Sequence, residues 1–437
     1  MIATELVALV CCDLGAIVRG RSVPAGRLDE QLLIGVGWVP ANHALTPLGP
    51  LADPNPFGST GDLRLAPDPA TRVRVGPADG APALELLLCD IVETDGGPWE
   101  CCPRAFLREA LGQLAAELDV RAVASFEHEF QLVRESRPAL PFSLEAQRRA
   151  EPFAGTVMAA LEEAGTQPER FFPEYSADQF EVPVEVAEGL AAADRAVVVR
   201  EVVREVARRE GVRASFAPLL DPAKAGNGVH IHLDLRDAAG SSVLYDGSRP
   251  AGLSELGERF AAGILAHASA LSALTAPSPA SAARLQPHRW SAGAVCLGLR
   301  NREALLRIPS LVGLGGGDPS RQLHLEYRGA DATANPYIAL ASLIHAGLDG
   351  VRSELPAPPI LEQDPAQLDA AESERFGVGA LPASLEDALR ALAGDEVARG
   401  WMSPLLYEAY LSVKRAEVAA ASDIDLEELC ARYAAIY

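Results

Sequence analysis

The stretch Val229-His230-Ile231-His232-Leu233-Asp234-Leu235 alternates apolar residues with residues that can bind a metal ion or a phosphate. Two other stretches share this alternation: Phe126-Glu127-His128-Glu129-Phe130 and Leu323-His324-Leu325-Glu326-Tyr327-Arg328. Successive side chains of a β-strand point to opposite faces, so residues at alternate positions share one face. Three such strands predict a sheet that lines a wet, metal-ready cavity with carboxylates, imidazoles and a guanidinium.

The candidate metal ligands are five carboxylates and one imidazole: Glu127, Glu129, Glu174, Glu181, Glu326 and His230. Oxygen-rich sites suit Mg²⁺ or Mn²⁺, most often where phosphates complete the coordination. The alternative interpretation of any single pair is the solvated face of an edge strand. Because the pattern occurs in three stretches, and residues 173–181 add two further glutamates, we favour the metal site.

The composition restricts the class of protein. A chain of 437 residues with 49% hydrophobic and 22% charged residues is typical of a globular protein with two or three domains. The formal net charge of −22 disfavours nucleic acid and anionic membranes as partners. The apolar runs are too short to cross a membrane, and residues 1–6 lack a basic region, so we expect a cytoplasmic protein. Seven cysteines without a CxxC pair predict reduced thiols.

Short strands rich in Gly and Pro occupy the first hundred residues, whereas helical spacing begins at Pro103. We therefore place a domain boundary near residue 98, which separates domains at 1–98 and 99–437. A further helix is predicted to begin at Asn335-Pro336, a capping residue followed by proline. The other elements predicted for the second domain are strands at 121–133, 180–184, 229–235 and 322–328, and helices at 103–118, 145–164, 187–211 and 252–275.

Several segments together resemble signature elements of the glutamine synthetase family. They include its glutamate pair, its glycine-rich ATP signature and its glutamate–x–arginine element, in matching order from near residue 5 to near residue 420. The segments are residues 126–130, 174–181, 225–232, 301–309, 326–328 and 335–337.

The resemblance implies an α+β fold, in which an N-terminal β-grasp-like domain precedes a catalytic domain. The catalytic domain would hold a curved antiparallel sheet, a half-barrel flanked by helices. The resemblance also implies a homo-oligomer, a dodecamer of two stacked hexameric rings with each active site between neighbours. The segment from Trp38 to Asn42 would then complete the amine pocket of the next subunit.

The chemistry implied by the resemblance needs ATP and two or more Mg²⁺ or Mn²⁺ ions per site. The side-chain carboxylate of glutamate would attack the γ-phosphate to give γ-glutamyl phosphate, from which an amine displaces phosphate. One ion would be bound by Glu129, Glu174 and Glu181. The other ion would be bound by Glu127, His230 and Glu326.

Two arginines match those that hold the substrate α-carboxylate, Arg284 and Arg328, a task suited to a planar bidentate group. Gly226, within the glycine-rich segment, is also expected to contact the substrate. The alternative for a single arginine is a surface ion pair. For Arg328, two residues after a proposed ligand, we favour the functional interpretation.

Other residues match positions near the ATP phosphates. Arg302 and Arg307 resemble the arginines that neutralise the transferred phosphoryl group, and His232 resembles a residue beside the phosphates. Arg321 stands where the family usually has a lysine. Arg302, together with Glu129, is the expected catalytic pair.

The acceptor end departs from the family pattern. Residues 37–42 read Gly-Trp-Val-Pro-Ala-Asn, without the aspartate and serines that help to bind ammonium. Trp290 stands where a flap glutamate is usual. Losing two carboxylates weakens ammonium binding and deprotonation, whereas a tryptophan offers an apolar or cation–π wall. The alternative is that Trp290, like Trp38, only packs in the core.

We therefore predict a ligase that joins glutamate to a small organic amine. Two alternatives stay open: a glutamine synthetase that uses ammonium, and a catalytically silent structural or regulatory homologue. The presence of all six proposed ligands argues against the silent homologue.

Overall fold

A computed structural model describes residues 4–77, 80–135 and 139–437. Residues 1–3, part of the start from which we expect no secretion signal, lie outside the described residues. The strands are β1 (Leu6–Cys12), β2 (Val18–Pro24), β3 (Val36–Trp38), β4 (Leu63–Pro67), β5 (Val73–Val75), β6 (Leu84–Glu93), β7 (Arg121–Val133), β8 (Phe172–Pro173), β9 (Gln179–Val182), β10 (Ala187–Glu188), β11 (Arg213–Ser215), β12 (Val229–Arg236), β13 (Ala294–Leu299), β14 (Ala304–Ile308), β15 (Leu325–Tyr327) and β16 (Ile360–Leu361).

The α-helices follow the same chain order. They are α1 (Leu28–Ile34), α2 (Pro103–Leu118), α3 (Leu144–Arg149), α4 (Phe153–Glu163), α5 (Gly189–Arg209), α6 (Glu255–Ala266), α7 (Ala268–Thr275), α8 (Ser281–Arg284), α9 (Pro319–Gln322), α10 (Pro336–Arg352), α11 (Ala370–Arg375), α12 (Leu385–Gly394), α13 (Glu396–Arg399), α14 (Pro404–Ala421) and α15 (Leu426–Ile436).

The N-terminal sheet has the order β2-β1-β6-β4-β3, with β5 paired to β6. Strand β1 runs parallel to β6, and the other pairs are antiparallel. Strands β1 and β6 are rich in Leu, Val and Cys and are largely buried, as expected of strands covered on both faces.

The second sheet has the order β16-β13-β14-β15-β12-β7-β9-β8, with β10 and β11 also paired to β7. The strands from β14 to β8 pair antiparallel, whereas β13 runs parallel to β14 and β16 at the edge. Helix α5 packs on β7, and α10 packs on α2, α5 and α6. The two sheets with flanking helices confirm the predicted α+β fold.

Helix α10 begins as predicted, because the Asn335 side chain accepts hydrogen bonds from the backbone N–H groups of Tyr337 and Ile338. The first fifteen residues of α10 are buried except for Asp349, and the last two residues, Val351 and Arg352, are partly or fully exposed. A helix that is apolar all round belongs in a core.

Three predicted elements are wrong in extent. The helix predicted at 145–164 is divided into α3 and α4 near Pro152, since a proline disfavours helical geometry in the residue before it. The helix predicted at 252–275 is divided at His267, whose ring bonds to Asp349 and Asp395. The strand predicted at 322–328 is only the three residues of β15, because α9 ends at Gln322.

One strand lies where the sequence predicts a long loop between Trp38 and Asp68. Strand β4 has alternating burial and pairs with both β3 and β6. In the described part of the chain, no helix combines the length and apolar character needed to cross a membrane.

Candidate active site

The register of the second sheet places polar side chains side by side across adjacent strands. Arg307 on β14 lies opposite Glu326 on β15, and Glu326 lies opposite His232 on β12. Because the strands are antiparallel and the positions are paired, these side chains share one face of the sheet.

The row of polar groups continues toward the other edge. His230 on β12 lies opposite Glu127 on β7, and Glu129 on β7 lies opposite Glu181 on β9. Glu174 directly follows the short strand β8. The six predicted metal ligands therefore come from five neighbouring strands or their ends.

Two cavities open beside this row. The first has a volume of about 740 Å³, and its lining includes the carboxylates of Glu127, Glu129, Glu174, Glu181 and Glu303. The second has a volume of about 540 Å³, and its lining includes Arg170, Arg236, Arg302, Arg307, Arg321, His232 and His324. Three residues line both cavities: Glu127, Arg170 and Arg302. A group passed from one cavity to the other would therefore pass Arg302.

Crowded carboxylates in the first cavity shift one another's pKa values. Burial, with the charges of Glu129 and Glu127, raises the pKa of Glu174 to about 8. Burial and the same two neighbours raise the pKa of Glu181 well above its usual range. Burial by itself would raise the pKa of Glu127. Hydrogen bonds with His230 and His232 outweigh the effect of burial, so the pKa of Glu127 lies well below its usual range.

The donor set fits a divalent cation. In the described residues, two groups have ligand atoms within 4.8 Å of one another, Glu127 with Glu181 and His230, and Glu127 with His232 and Glu326. The Nε2 atom of His230 is buried and has no hydrogen-bond partner among the described residues, which leaves its lone pair free for a metal. The predicted division of the ligands between two ions stays a prediction, since Glu127 belongs to both groups.

Glu326 is bound to two arginines. Its Oε2 atom accepts a hydrogen bond from Arg307 at 2.5 Å, and its Oε1 atom accepts one from Arg328 at 2.5 Å. Burial opposes its charge, but Arg328, His230 and His232 bring the pKa of Glu326 down to about 2. The carboxylate is therefore held ionised where a cation or a phosphate-binding arginine needs it.

Glu129 is held by the glycine-rich segment. The backbone N–H of Gly228 donates to its Oε2 atom at 2.9 Å. The Gln179 side chain donates to the carbonyl of Gly226 and to the Asn227 side chain, both at 2.9 Å. The segment that resembles an ATP signature is thus tied to the predicted metal ligands.

The two arginines predicted to hold a carboxylate are placed differently. Arg328 lines the first cavity, but Arg284 does not belong to its lining. Arg284 is buried and donates to the carbonyls of Gly329 and Ala330 at 3.1 and 2.8 Å. Gly226 lines the cavity directly in front of it, because a Cβ atom there would lie 3.1 Å from Arg284 Cγ.

Two histidines meet in the second cavity, where the Nδ1 atom of His232 lies 2.9 Å from Nε2 of His324. Burial lowers the pKa of His232, but a hydrogen bond with Glu127 outweighs it and the net shift is upward. Burial and the neighbouring His232 lower the pKa of His324 to about 4. The upward shift of the pKa of His232 favours its cationic form, which suits a site for phosphate. Arg321 lies at the rim, with its side chain 69% exposed.

Trp290 lies at the mouth of the first cavity and is 53% exposed. Its ring stacks on Tyr175, with centroids 4.8 Å apart, and also contacts Phe142 at 5.5 Å. Trp290 is therefore not a core residue. Trp38, in contrast, is buried in the core.

Family comparisons agree with this geometry. The model described as "Glutamine synthetase, catalytic domain" matches residues 100–428, and "Glutamine synthetase N-terminal domain" matches residues 2–99. The chain belongs to the glutamine synthetase family. Both the predicted resemblance and the expected enzyme class, a ligase of the glutamine synthetase type, are confirmed.

Similar proteins include both ordinary and specialised members of the family. Gamma-glutamylpolyamine synthetase GlnA3 of Streptomyces coelicolor is 35% identical over 98% of this chain and 92% of its own length. Glutamine synthetase of Methanocaldococcus jannaschii is 30% identical over 82% of this chain and 79% of its own length.

Solved structures share the fold of this glutamine synthetase homologue. A "novel glutamine synthase homolog" superposes with a TM-score of 0.93 at 48% identity, over 100% of this chain and 99% of the other. A GmaS/ADP complex superposes with a TM-score of 0.82 at 27% identity, over 97% of this chain and 95% of the other.

Sequence reasoning missed several residues that line the cavities of this glutamine synthetase homologue. Arg170 lines both cavities, and Phe142, Tyr175 and Glu303 line the first. Only Glu303 carries a signal in the sequence, since it stands where the resembled segment has a serine. The others lie in loops whose mutual approach no local pattern predicts.

Proposed function

We propose that this protein is an ATP-dependent ligase that joins the γ-carboxylate of glutamate to an organic amine through γ-glutamyl phosphate. The observation that carries the proposal is the junction of the two cavities at Glu127 and Arg302. An arginine-rich cavity suits a nucleotide triphosphate, and the adjoining cavity suits a smaller substrate.

The nucleotide would lie in the second cavity. Arg307, Arg321 and His232 line it and would bind the phosphates, while Arg302 would stabilise the charge of the phosphoryl group as it moves between cavities. Arg302 is exposed to the cavity space, so its guanidinium is free to reach that group.

Divalent cations, Mg²⁺ or Mn²⁺, would neutralise phosphate charge at the junction. The residues that would hold two or more of them are Glu127, Glu129, Glu174, Glu181, His230 and Glu326. Support comes from the crowded carboxylates, whose mutual repulsion a cation would relieve.

Glutamate would lie in the first cavity. Its α-carboxylate would bind Arg328, and the substrate would also contact Gly226. Arg284 would act from behind Gly226 by holding the backbone at Gly329 and Ala330. Once the side-chain carboxylate is phosphorylated, the amine nitrogen forms a bond to its carbon. The bond from that carbon to the phosphate oxygen breaks, and the nitrogen loses a proton.

An organic amine is favoured as the acceptor by the exposed ring of Trp290 at the cavity mouth. The similarity to a gamma-glutamylpolyamine synthetase agrees with this choice. The proposed partners are therefore glutamate and a small amine.

We also propose the two domains at 1–98 and 99–437, whose boundary is supported by the adjoining family matches at residues 99 and 100. A dodecamer of two stacked hexameric rings is proposed from the family. Light scattering on the purified protein would test it, with an expected mass twelve times that of one chain. The expected cytoplasmic location stays a prediction.

The test of the proposed function is phosphate release from ATP and Mg²⁺ with glutamate, comparing ammonium with a panel of amines. We expect amine-dependent turnover with little response to ammonium, and a loss of at least about a hundredfold in Glu129→Ala and Arg302→Ala. Strong ammonium turnover would make this a glutamine synthetase in activity. Persistent activity in both variants would contradict the site assignment.

A further inference from the structure

Three aromatic rings from distant parts of the chain meet at the mouth of the first cavity. The ring centroids of Trp290 and Tyr175 are 4.8 Å apart, and their planes form an angle of 27°. The ring centroids of Trp290 and Phe142 are 5.5 Å apart, and their planes form an angle of 47°. Tyr175 and Phe142 are 45% and 49% exposed. Exposed aromatic rings that converge on a cavity offer a surface for a ligand, whereas core rings do not.

The loop that carries Trp290 is fixed at several points. Arg289 donates to the carbonyl of Pro222 at 2.9 Å, and the Ser291 hydroxyl donates to the carbonyl of Arg284 at 2.7 Å. His288 and Trp290 both have left-handed φ angles, of 61° and 60°. Non-glycine residues adopt this conformation at a cost, and such strain is concentrated at functional sites.

A carboxylate lines the same cavity beside this loop. Glu303 accepts a hydrogen bond from the backbone N–H of His288 at 3.1 Å. In the described ranges, no Lys, Arg or His nitrogen lies within ion-pair distance of Glu303. By comparison, His288 is paired with Asp364 at 3.0 Å. Among the described residues Glu303 therefore has no ion-pair partner, and its carboxylate lines the cavity where a cationic ligand could reach it.

We propose that Phe142, Tyr175, Trp290 and Glu303 determine acceptor specificity by binding a second, protonated amino group of an extended diamine or polyamine. This inference rests on the proposed ligase function. The reacting nitrogen must be neutral to attack an acyl phosphate, so it gains little from a carboxylate or a cation–π contact. A second ammonium group stays charged, and aromatic faces together with a carboxylate attract it.

Two acceptors of equal chain length test the proposal, 1,4-diaminobutane and n-butylamine, because only the first has a second cationic group. We expect wild-type kcat/KM to be about tenfold or more higher for 1,4-diaminobutane. Trp290→Leu keeps an apolar side chain without a π face, and Glu303→Gln keeps an acceptor for His288 without the charge. Each variant is expected to raise the KM for 1,4-diaminobutane about tenfold and the KM for n-butylamine much less, with KM for ATP and glutamate nearly unchanged.

Glu408→Gln is the matched control, since it makes the same charge change at an exposed position of α14 outside both cavities. Equal kcat/KM for the two acceptors in the wild type, or an equal loss of both in the variants, would overturn the proposed specificity and leave the ligase proposal intact.

If the wild type ligates no amine, the ligase proposal fails separately. Calorimetric titration of 1,4-diaminobutane, with Mg²⁺ and a non-hydrolysable ATP analogue present, then tests the proposed binding site independently of ligase activity. Binding that weakens in Glu303→Gln would support it, and absence of binding by the wild type would overturn it.

Discussion

Gly226 shows how a single residue fixes the approach of two backbone segments. A Cβ atom at this position would lie 1.9 Å from the carbonyl oxygen of Pro218, and Asn227 N donates to that same oxygen at 3.0 Å. The obstacle is backbone, so it cannot rotate away as a flexible side chain would.

We predict that Gly226→Ala lowers the melting temperature and removes most ligase activity, because the segment must shift away from Glu129 and Arg284. The control is Gly112→Ala in α2, where an added Cβ meets no atom of the described residues within 4 Å. This substitution should stabilise the protein by about 0.5–1 kcal/mol, since alanine is the better helix former. Thermal unfolding measures the effect of each substitution on stability, and phosphate release measures its effect on ligase activity. Equal effects of the two substitutions would contradict the steric argument.

His43 is a buried histidine whose ring nitrogens have no hydrogen-bond partner in the part of the chain that the structure describes. Its ring centroid lies 5.3 Å from that of Trp99. Burial lowers the pKa of His43 to about 3. Its ordinary pKa is 6.5. Below pH 6.5 the unfolded chain binds a proton at His43 that the folded chain excludes. The stability that depends on a neutral His43 is therefore present above pH 6.5 and is lost as the pH falls toward 3.

We predict that the unfolding free energy falls between pH 7.5 and pH 5, with about 2 kcal/mol of the loss due to His43. His43→Phe keeps the ring in contact with Trp99 and removes the titrating group. Denaturant unfolding at the two pH values should therefore show a smaller loss in this variant. An unchanged loss would assign the acid sensitivity to other groups.

At the scale of elements, strands β7 and β9 bring Glu129 and Glu181 face to face. Like charges directly opposite on neighbouring strands destabilise a sheet, and here burial strengthens their repulsion. A cation bound between the two carboxylates would relieve this repulsion.

We predict that Mn²⁺ raises the melting temperature of the wild type by mass action. Glu181→Gln should raise the melting temperature without metal, because the crowded site makes an ionised Glu181 costly and glutamine cannot ionise. It should also reduce the shift caused by Mn²⁺. Glu188→Gln on β10, a partner of the exposed Arg121, is the control and should leave the Mn²⁺ shift unchanged. A full Mn²⁺ shift in Glu181→Gln would remove this residue from the ligand set.

At the scale of the whole molecule, the turn after β1 joins the N-terminal sheet to the larger part of the chain. The Asn335 side chain donates to the carbonyls of Cys12 and Asp13 at 3.1 and 2.9 Å. Arg200 donates to the carbonyl of Ala16 at 2.9 Å, and the Tyr437 hydroxyl donates to the carbonyl of Gly15. The same Asn335 caps α10, so helix formation and docking of the turn depend on one side chain.

We predict that Asn335→Ala destabilises the protein by about 2–4 kcal/mol, since it removes a cap and leaves buried carbonyls unsatisfied. Asn335→Asp retains the cap but places a carboxylate against the two carbonyls, so it should also destabilise. Ser384→Ala, at the cap of α12, should cost only about 1 kcal/mol. Equal losses at the two caps, measured by denaturant unfolding, would contradict a joining role for Asn335.

Much of the fold was predictable because its signals are local. Helix α2 and strand β7 have the predicted bounds, and the start of α10 follows from Asn335-Pro336. The errors lie where tertiary contacts outweigh local pattern: His267 interrupts a helical pattern to bond with two aspartates, and β4 forms within a proline-rich stretch because β6 offers it a partner.

The sequence by itself determined which side chains share a face, because the alternation of a strand is a property of consecutive residues. Glu127 could therefore be placed on one face with Glu129, and His230 with His232, from the sequence alone. Only the tertiary structure decided that Trp290 meets Tyr175 at the cavity mouth and that Arg284 lies buried behind Gly226. These contacts join segments far apart in the chain, and the closure of loops between them depends on the packing of the whole molecule, which no local period encodes.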